Sequence, residues 1–120
     1  MIDSKDLREG IWVRSIHTGP VQVSLFMIGE IADDETYLDH LMPIPLSPEV
    51  LKACGFESSK EGTNFTYDLG GLSIHFPSRS YPDGRTYFNS WRIIEGVPES
   101  LHHLMNLYYA LTNQEINYKP

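Results

Sequence analysis

The chain has 120 residues, of which 41% are hydrophobic and 21% charged, with a net charge of -7 and a pI near 5.0. This length suits one domain with its own core, and the composition is ordinary for a globular protein. The acidic balance disfavours binding to nucleic acid through phosphate contacts and binding to an anionic membrane, since both require a basic face. It leaves room for a basic protein partner.

Cysteine content and the first residues indicate the compartment. Cys54 is the single cysteine, so no internal disulfide is expected, and its apolar neighbours predict a small buried side chain. The opening stretch MIDSKDLREG is charged and lacks the apolar core of a signal peptide. No apolar run reaches the length of a membrane span. We therefore expect a cytoplasmic protein with no membrane partner.

The first half of the chain, 1–46, predicts a β-rich half that resembles a small SH3-like barrel. A turn signal at His17–Pro20 separates two segments rich in β-forming residues, which together predict a hairpin. The charged stretch Asp33–Glu35 predicts a solvated turn. The expected strands are Ile11–Ile16, Val21–Leu25 with its continuation to Ile28, Thr36–Asp39 and His40–Ile44.

A short helix is predicted to join this half to the second half, 47–120. Ser47 is a suitable N-cap, Pro48 fits the first helical position, and Gly55 is the expected C-terminal stop. A three-stranded antiparallel meander should follow over 64–94. Its central hairpin turns at Gly70-Gly71 and pairs 69 with 72, 67 with 74 and 65 with 76, and its third strand is expected over 86–93.

Ser100–Asn113 has the clearest helical period of the chain, with Ser100 as the expected N-cap and Asn113 as the end. One stripe along this helix is apolar, and we expect it to cover the apolar face of the meander. The stripe consists of Leu101, Leu104, Met105, Tyr108 and Leu111, and the opposite side of His102, His103, Asn106, Ala110 and Asn113. Ile116 or Tyr118 could tuck in beyond it. The predicted fold is therefore a single α+β domain over 1–120, a bent antiparallel sheet covered by a C-terminal helix.

Two blocks carry a resemblance to a known family, PIPLSPEVLKACGF at Pro43–Phe56 and SLHHLMNLYYALTNQEI at Ser100–Ile116. They resemble a family of small uncharacterised proteins of Bacteroides-type gut bacteria and their phages and mobile elements. DLREGIWV at Asp6–Val13 and the aspartate-glycine turn of Tyr81–Phe88 also resemble that family. The resemblance implies a phage or mobile-element setting and brings no activity with it.

Catalytic and metal-binding patterns are weak in this sequence. A zinc site needs three or four convergent ligands, and His102 and His103 should point about 100° apart on a helix and so be unable to share a metal. No G-x-S-x-G and no phosphate-binding loop is present. We therefore expect no catalytic residue, no metal ligand and no cofactor, and an enzyme is the less favoured class.

One cluster of arginines and aromatic residues is suggestive, because these are the commonest anchors of protein interfaces and also form stacking platforms for single-stranded nucleic acid. Alternatively, Tyr87 and Trp91 are core residues beneath the C-terminal helix. The leading hypothesis is a non-enzymatic, protein-binding protein. The alternatives are a small hydrolase or ligand-binding enzyme and a single-strand nucleic-acid binder. The candidate binding residues are Arg79, Tyr81, Arg85, Tyr87 and Trp91.

Overall fold

The computed structural model of the protein describes residues 2–61, 64–78 and 82–120. At 60, 61, 64 and 65 it describes the backbone only. The chain divides into two compact units. The first comprises Met1–Leu46, Glu99–Ile116 and Pro120, and the second Ser47–Pro98 and Asn117–Lys119. The division after residue 46 falls at the predicted boundary between the halves, but Glu99–Ile116 joins the first unit. That the whole chain is one domain stays a prediction.

Helices and antiparallel strands together make the α+β class predicted from sequence, with three α-helices and eight strands in the described residues. No described helix is both long and apolar enough to cross a bilayer. The helices are α1 (Leu25–Asp33), α2 (Pro48–Ala53) and α3 (Leu101–Thr112). The strands are β1 (Trp12–Ser15), β2 (Gly19–Gln22), β3 (Leu41–Met42), β4 (Glu57–Glu61), β5 (Asn64–Leu69), β6 (Leu72–His75), β7 (Arg85–Phe88) and β8 (Trp91–Glu95). Two 3₁₀ helices are formed by Ser4–Asp6 and Glu35–His40.

The sheet of the first unit has the order β2-β1-β3 and is antiparallel throughout. The predicted hairpin is confirmed, with Val13 opposite Val21 and Ser15 opposite Gly19. Val13 and the neighbouring Ile11 are fully buried, as expected for the inward positions of a half-buried strand. The likeness of this half to an SH3-like barrel stays a prediction.

The prediction that the second strand continues to residue 28 was wrong, because the chain turns into helix α1 at Leu25. Ser24 is the N-cap, and its hydroxyl accepts a hydrogen bond from the backbone N–H of Met27. A short apolar run fits a strand or a helix equally well, and here the cap decides between them. Ile31 is buried, whereas Leu25 and Phe26 remain largely exposed.

The two short strands expected over 36–44 are also corrected. Glu35–His40 is a 3₁₀ helix, capped by the Asp34 carboxylate, which accepts from the N–H of Thr36. Only Leu41–Met42 forms a strand, β3, which pairs with β1. Aspartate competes for nearby backbone N–H groups, so Asp34 caps a 3₁₀ helix that includes Thr36–Asp39, where a strand was expected.

Helix α3 belongs to the first unit, where it contacts β1 and the 3₁₀ helix Ser4–Asp6. The sequence analysis assigned it to the meander, so it identified the stripe but not its partner. Its approach is fixed by backbone pairing, since Pro45 bridges to Ser100 and the N–H of Leu101 donates to the carbonyl of Ile44. The predicted stripe is buried at Leu101, Leu104, Met105 and Tyr108 and half-buried at Leu111.

Both predicted ends of α3 are confirmed. Ser100 occupies the N-cap position and Asn113 the C-cap, where its φ of 58° is the left-handed conformation that asparagine tolerates. The Ser100 hydroxyl accepts no capping hydrogen bond from the backbone N–H groups of the first turn. That hydroxyl is used elsewhere, as described below.

The sheet of the second unit has the order β4-β5-β6-β7-β8. The predicted register of its central hairpin is confirmed at Leu69 opposite Leu72 and Tyr67 opposite Ile74. The meander has five strands within the described ranges, because Glu57–Glu61 adds a strand beside β5 and the predicted third strand is two strands, β7 and β8. Leu72 and Ile74 are fully buried and mark the core side of this sheet.

The strand predicted over 86–93 is broken by a tight turn into β7 and β8. Asn89 and Ser90 adopt positive φ angles of 50° and 72°, the backbone of a two-residue hairpin turn. Trp91 consequently lies opposite Phe88. Asparagine favours such turns, but serine does so weakly, and the surrounding aromatic residues made the stretch resemble one continuous strand.

Helix α2 begins as predicted, with Ser47 accepting from the N–H of Val50 and Pro48 at the first position. Cys54 is its C-cap and is buried, which confirms the prediction of a small buried side chain. Burial raises the pKa of the Cys54 thiol to about 12. Tyr118 is buried too, and the N–H of Lys119 donates to the carbonyl of Ala53, so the C-terminal tail of this unit is anchored on α2.

Candidate functional site

The N-terminal segment of the first unit is fastened to α3 by one arginine. The Arg8 guanidinium donates from Nε to Asn106 Oδ1 at 2.7 Å, and from Nη2 to the carbonyl of Met105 at 3.2 Å. It also pairs with Glu115 at 2.5 Å and lies 4.5 Å from the ring centroid of Tyr109. A planar five-donor group is suited to such divergent contacts, and a lysine in its place would satisfy fewer of them.

This attachment positions the carboxylate of Asp6 beside the first turn of α3. The side-chain amide of Asn106 donates to the backbone carbonyl of Asp6 at 2.8 Å, which fixes the backbone at that point. The Asp6 Oδ2 atom then lies 3.3 Å from Nε2 of His103. The side chains of Asp6 and His103 thus meet because Asn106 accepts a hydrogen bond from Arg8 and donates one to the backbone of Asp6.

The hydroxyl of Ser100 brings the two adjacent histidines together. Ser100 Oγ lies 2.9 Å from Nδ1 of His102 and 2.7 Å from Nδ1 of His103. The two imidazole rings are 4.1 Å apart between centroids. One ligand atom from each histidine and one from Asp6 all lie within 4.8 Å of one another. Among the residues that the structure describes, these three side chains are the one group of potential metal ligands that converge.

The sequence analysis was therefore wrong about these histidines. It placed both on the exposed side of α3 about 100° apart, whereas His102 is 1% exposed and both rings turn toward the N-cap. The angle of 100° holds for the Cα–Cβ directions of neighbouring helical residues. Long side chains in the first turn can still converge on an N-cap residue, as in the capping box. The signal that could have revealed this is the serine placed two and three residues before the histidines.

Burial also sets the charge of this cluster. Removal from water, and secondarily the neighbouring His103, lowers the pKa of His102 to about 4, so its ring is neutral at physiological pH. The carboxylates of Asp6 and Glu99 oppose the shift but do not overcome it. Nε2 of His102 is buried and has no hydrogen-bond partner among the described residues. A buried polar atom without a hydrogen-bond partner costs folding free energy, unless a water molecule or an ion supplies the missing partner.

Ser100, His103 and Asp6 form a hydrogen-bonded chain with the residue types of a hydrolase triad. Geometry argues against that chemistry, since Ser100 is 2% exposed and its hydroxyl lies between two rings. A nucleophile must reach the substrate carbon, and this oxygen cannot. The arrangement is better suited to holding two imidazoles in fixed orientations.

A second pair of histidines lines a cavity of about 320 Å³ in the same unit. His17 Nε2 lies 3.3 Å from His40 Nδ1, and both residues are exposed. Tyr37 packs edge-on against His40, with 6.2 Å between ring centroids. None of the described lining residues of this cavity is a carboxylate, so its lining pairs no carboxylate with these histidines for general acid-base chemistry.

Three of the five candidate binding residues predicted from sequence lie on the second sheet, and they are distributed over its two faces. Arg79 and Tyr81 lie outside the described residues. Arg85 and Tyr87 share one face of β7, and Arg85 Nη1 donates to the Tyr87 hydroxyl at 3.3 Å. This is the polar face of the sheet, on which His75 lies opposite Arg85 and Ser73 opposite Tyr87. Tyr87 is half-buried there, with its ring edge-on to His75.

Trp91 lies on the other side of the sheet from that pair, opposite Phe88. Its side chain is 78% exposed, the highest value among the large hydrophobic side chains of the described residues. The alternative that Trp91 is core beneath the C-terminal helix is therefore wrong. Strand β8 is last in the order of its sheet, and four of its five residues are exposed, which are Trp91, Arg92, Ile93 and Glu95.

A small polar cavity of about 140 Å³ lies on the outer strands of the same sheet. Arg85 and Arg92 line it together with Asp83 and Glu95. Arg92 also forms an ion pair with Glu95 at 3.7 Å, in which both side chains are largely exposed. The edge at β8 thus carries charges of both signs next to exposed apolar side chains.

Comparisons of the chain with protein-family models, with curated proteins and with solved structures find no match. The family resemblance of the 43–56 and 100–116 blocks therefore stays a prediction. Two features of the described residues are candidates for function, the edge at β8 and the cluster at the start of α3.

Proposed function

We propose that this protein is a small acidic, non-enzymatic binding protein whose partner is another protein and whose setting is a phage or mobile element. The observation that carries the proposal is the 78% exposure of Trp91 on β8, the last strand of its sheet. An exposed tryptophan is unfavourable in water, and tryptophan is the residue type most enriched among the energetic anchors of protein interfaces.

The position of Trp91 adds a binding mode to this anchor. Within the described chain, β8 has a neighbouring strand on one side, β7, and none on the other. A terminal strand can accept an extended segment of a partner through main-chain hydrogen bonds, with side-chain contacts supplying specificity. Trp91 and Ile93 offer apolar contacts there, and Arg92 offers a charged one.

The partner that fits is an extended protein segment with apolar side chains, taken from a protein that is basic overall. The net charge of -7 favours encounter with such a protein by electrostatic steering. Near β8 itself, Arg92 and Glu95 present both signs of charge, which would fix the register of the bound segment. A nucleic-acid-binding factor of the host is one kind of basic partner that the acidic protein could block.

Single-strand nucleic-acid binding receives less support from the geometry. A stacking platform requires its aromatic and cationic side chains on one surface. Trp91 lies opposite Phe88, whereas Arg85 and Tyr87 lie on the reverse face of the sheet. The hydrolase alternative is weakened in the same way by the burial of Ser100.

Matched capture tests the proposed function. Wild type, Trp91→Ala and Phe26→Ala are immobilised and exposed to lysate of the cell that produces the protein. Phe26 is the control because it is 76% exposed and belongs to the other compact unit. The proposal expects a protein retained by wild type and by Phe26→Ala and depleted at least tenfold by Trp91→Ala. Equal capture by all three baits contradicts it.

A further inference from the structure

The cluster at the start of α3 lies in the other compact unit from β8 and raises a separate question. Its donors are one carboxylate and two imidazoles, from Asp6, His102 and His103, all within 4.8 Å of one another. Imidazole and carboxylate together are the donors that zinc and related transition metals prefer, whereas magnesium and calcium prefer oxygen alone. Three protein ligands with a remaining open position are typical of catalytic zinc sites and of the two-histidine, one-carboxylate iron sites.

The number of protons available to Ser100 and the two imidazoles shows which nitrogen of this cluster lacks a hydrogen-bond partner. The Ser100 hydroxyl has one proton and lies within hydrogen-bond distance of two Nδ1 atoms. When neutral His103 donates from Nε2 to Asp6, its Nδ1 must accept the Ser100 proton. Ser100 can then only accept from His102, which must carry its own proton on Nδ1. His102 Nε2 is thereby left as a lone pair.

The burial of His102 Nε2 without a hydrogen-bond partner among the described residues is the second, independent observation. His102 is 1% exposed, and its Nε2 has no hydrogen-bond partner within the described residues. A buried acceptor with no donor is rare in folded proteins and calls for an explanation such as a water or an ion. The Nδ1 atoms are both held at Ser100, so the Nε2 atoms are the ones available to a further ligand.

We propose that Asp6, His102 and His103 form a binding site for a divalent transition-metal ion of the zinc type, with Ser100 as the residue that orients both imidazoles. Metal-bound histidines commonly donate their second N–H to an oxygen that fixes the ring. Here His103 would move its proton from Nε2 to Nδ1, and Ser100 would accept from both rings while keeping its own proton. No proton is gained or lost in this rearrangement.

One of the three donor pairs already has the spacing that a tetrahedral site needs. Two donors that are each about 2.0–2.1 Å from a tetrahedral zinc ion lie roughly 3.3–3.4 Å apart. Asp6 Oδ2 and His103 Nε2 are already 3.3 Å apart. Asp6 and His103 are half-exposed, so an ion can enter from their side and meet the buried ring of His102. The ion would join the 3₁₀ helix Ser4–Asp6 to α3.

Calorimetric titration with Zn²⁺ and the absorption of added Co²⁺ test the site at pH 7.5. Wild type should bind one ion per chain, and Asp6→Asn and His103→Gln should each weaken binding at least tenfold. The matched control is the double substitution His17→Gln and His40→Gln, which removes the other histidine pair. It should leave the affinity within about twofold. Absence of saturable binding, unchanged affinity in Asp6→Asn and His103→Gln, or loss of binding in the control would each overturn the proposal.

A wild-type measurement guards against variants that fail to fold. The ¹⁵N shifts of the imidazoles report which ring nitrogen carries a proton and which carries a metal. On addition of Zn²⁺, the Nε2 resonances of His102 and His103 should shift while those of His75 stay in place. A response at His17 and His40 instead, or at no histidine, contradicts the assignment. The proposed protein binding at β8 does not enter into either result.

Discussion

The imidazole rings of His102 and His103 lie 4.1 Å apart between centroids, although the two residues are neighbours on a helix. Both rings turn back to the hydroxyl of Ser100. One consequence is a histidine that is 1% exposed and has its pKa lowered to about 4. A buried neutral histidine links folding to pH even without a bound metal.

We expect the free energy of unfolding to fall as the pH is lowered from 6.5 to 4. An unfolded His102 takes up a proton near pH 6.5, whereas the folded one resists until about pH 4. The unfolded state therefore binds more protons in this window, which costs stability as the pH falls. The expected loss attributable to His102 is roughly 2–3 kcal/mol between pH 7 and pH 4. Urea unfolding in the presence of EDTA measures it.

The control for this prediction is a difference between variants, because other groups also titrate in the same range. His102→Gln should lose the greater part of the pH dependence between 6.5 and 4, whereas His17→Gln, at an exposed position, should keep it. Parallel pH profiles for wild type and His102→Gln would show that His102 is not held neutral by burial.

Arg8→Ala should destabilise the first unit by about 2 kcal/mol. The substitution removes hydrogen bonds to Asn106 and to the carbonyl of Met105 and leaves the Asn106 Oδ1 atom without its Arg8 donor. The ion pair with Glu115 adds little, because that carboxylate is about half exposed. Arg14→Ala, at an exposed position of β1, should change stability by less than about 0.5 kcal/mol. Equal effects in urea unfolding would contradict the role assigned to Arg8.

Two glycines of the second unit separate backbone strain from steric conflict. Gly84 and Gly55 have φ angles of +75° and +90°, so alanine is strained at both. A Cβ at Gly84 would also lie 2.6 Å from the carbonyl oxygen of His75, whereas one at Gly55 would meet nothing within 4 Å. Gly55→Ala should cost about 1 kcal/mol and Gly84→Ala about 3 kcal/mol in thermal unfolding. A smaller cost at Gly84 than at Gly55 would refute the packing described there.

Tryptophan fluorescence tests the exposure of Trp91 without any knowledge of the partner. The chain has two tryptophans, and Trp12 is half-buried while Trp91 is 78% exposed. Trp91→Phe should shift the emission maximum to shorter wavelength and reduce acrylamide quenching severalfold. Its free energy of unfolding should stay within about 0.5 kcal/mol of wild type, as for other exposed positions. Unchanged quenching would mean that Trp91 is covered.

Local sequence signals predicted the elements whose capping or turn residues are unambiguous. Ser47-Pro48 at the start of α2, Gly70-Gly71 in the central hairpin and Asn113 at the end of α3 are all confirmed. The run at 25–28 could not be assigned by period, because a short apolar stretch fits both a strand and a helix. The partner of α3 was equally undetermined, since an apolar stripe shows that a helix is buried and not against what.

The same limit applies to the candidate sites. Their residue types could be recognised in the sequence, but their arrangement in space could not. Trp91 and the arginines of its neighbourhood were identifiable by residue type, but their division between two faces depends on the turn at Asn89-Ser90. The cluster of Asp6 with His102 joins residues almost a hundred positions apart, and no spacing rule for metal ligands covers such a separation. Only the placement of the N-terminal segment by Arg8 and Asn106 reveals it.

The central claim is that the edge at Trp91 binds a partner protein, and photo-crosslinking from that position tests it most directly. A benzophenone amino acid is incorporated in place of Trp91 and, as the control, in place of Phe26, and the producing cells are irradiated. We predict a discrete covalent adduct with one protein from position 91, identified by mass spectrometry, and none of that protein from position 26. No adduct from position 91, or the same products from both positions, would contradict the account.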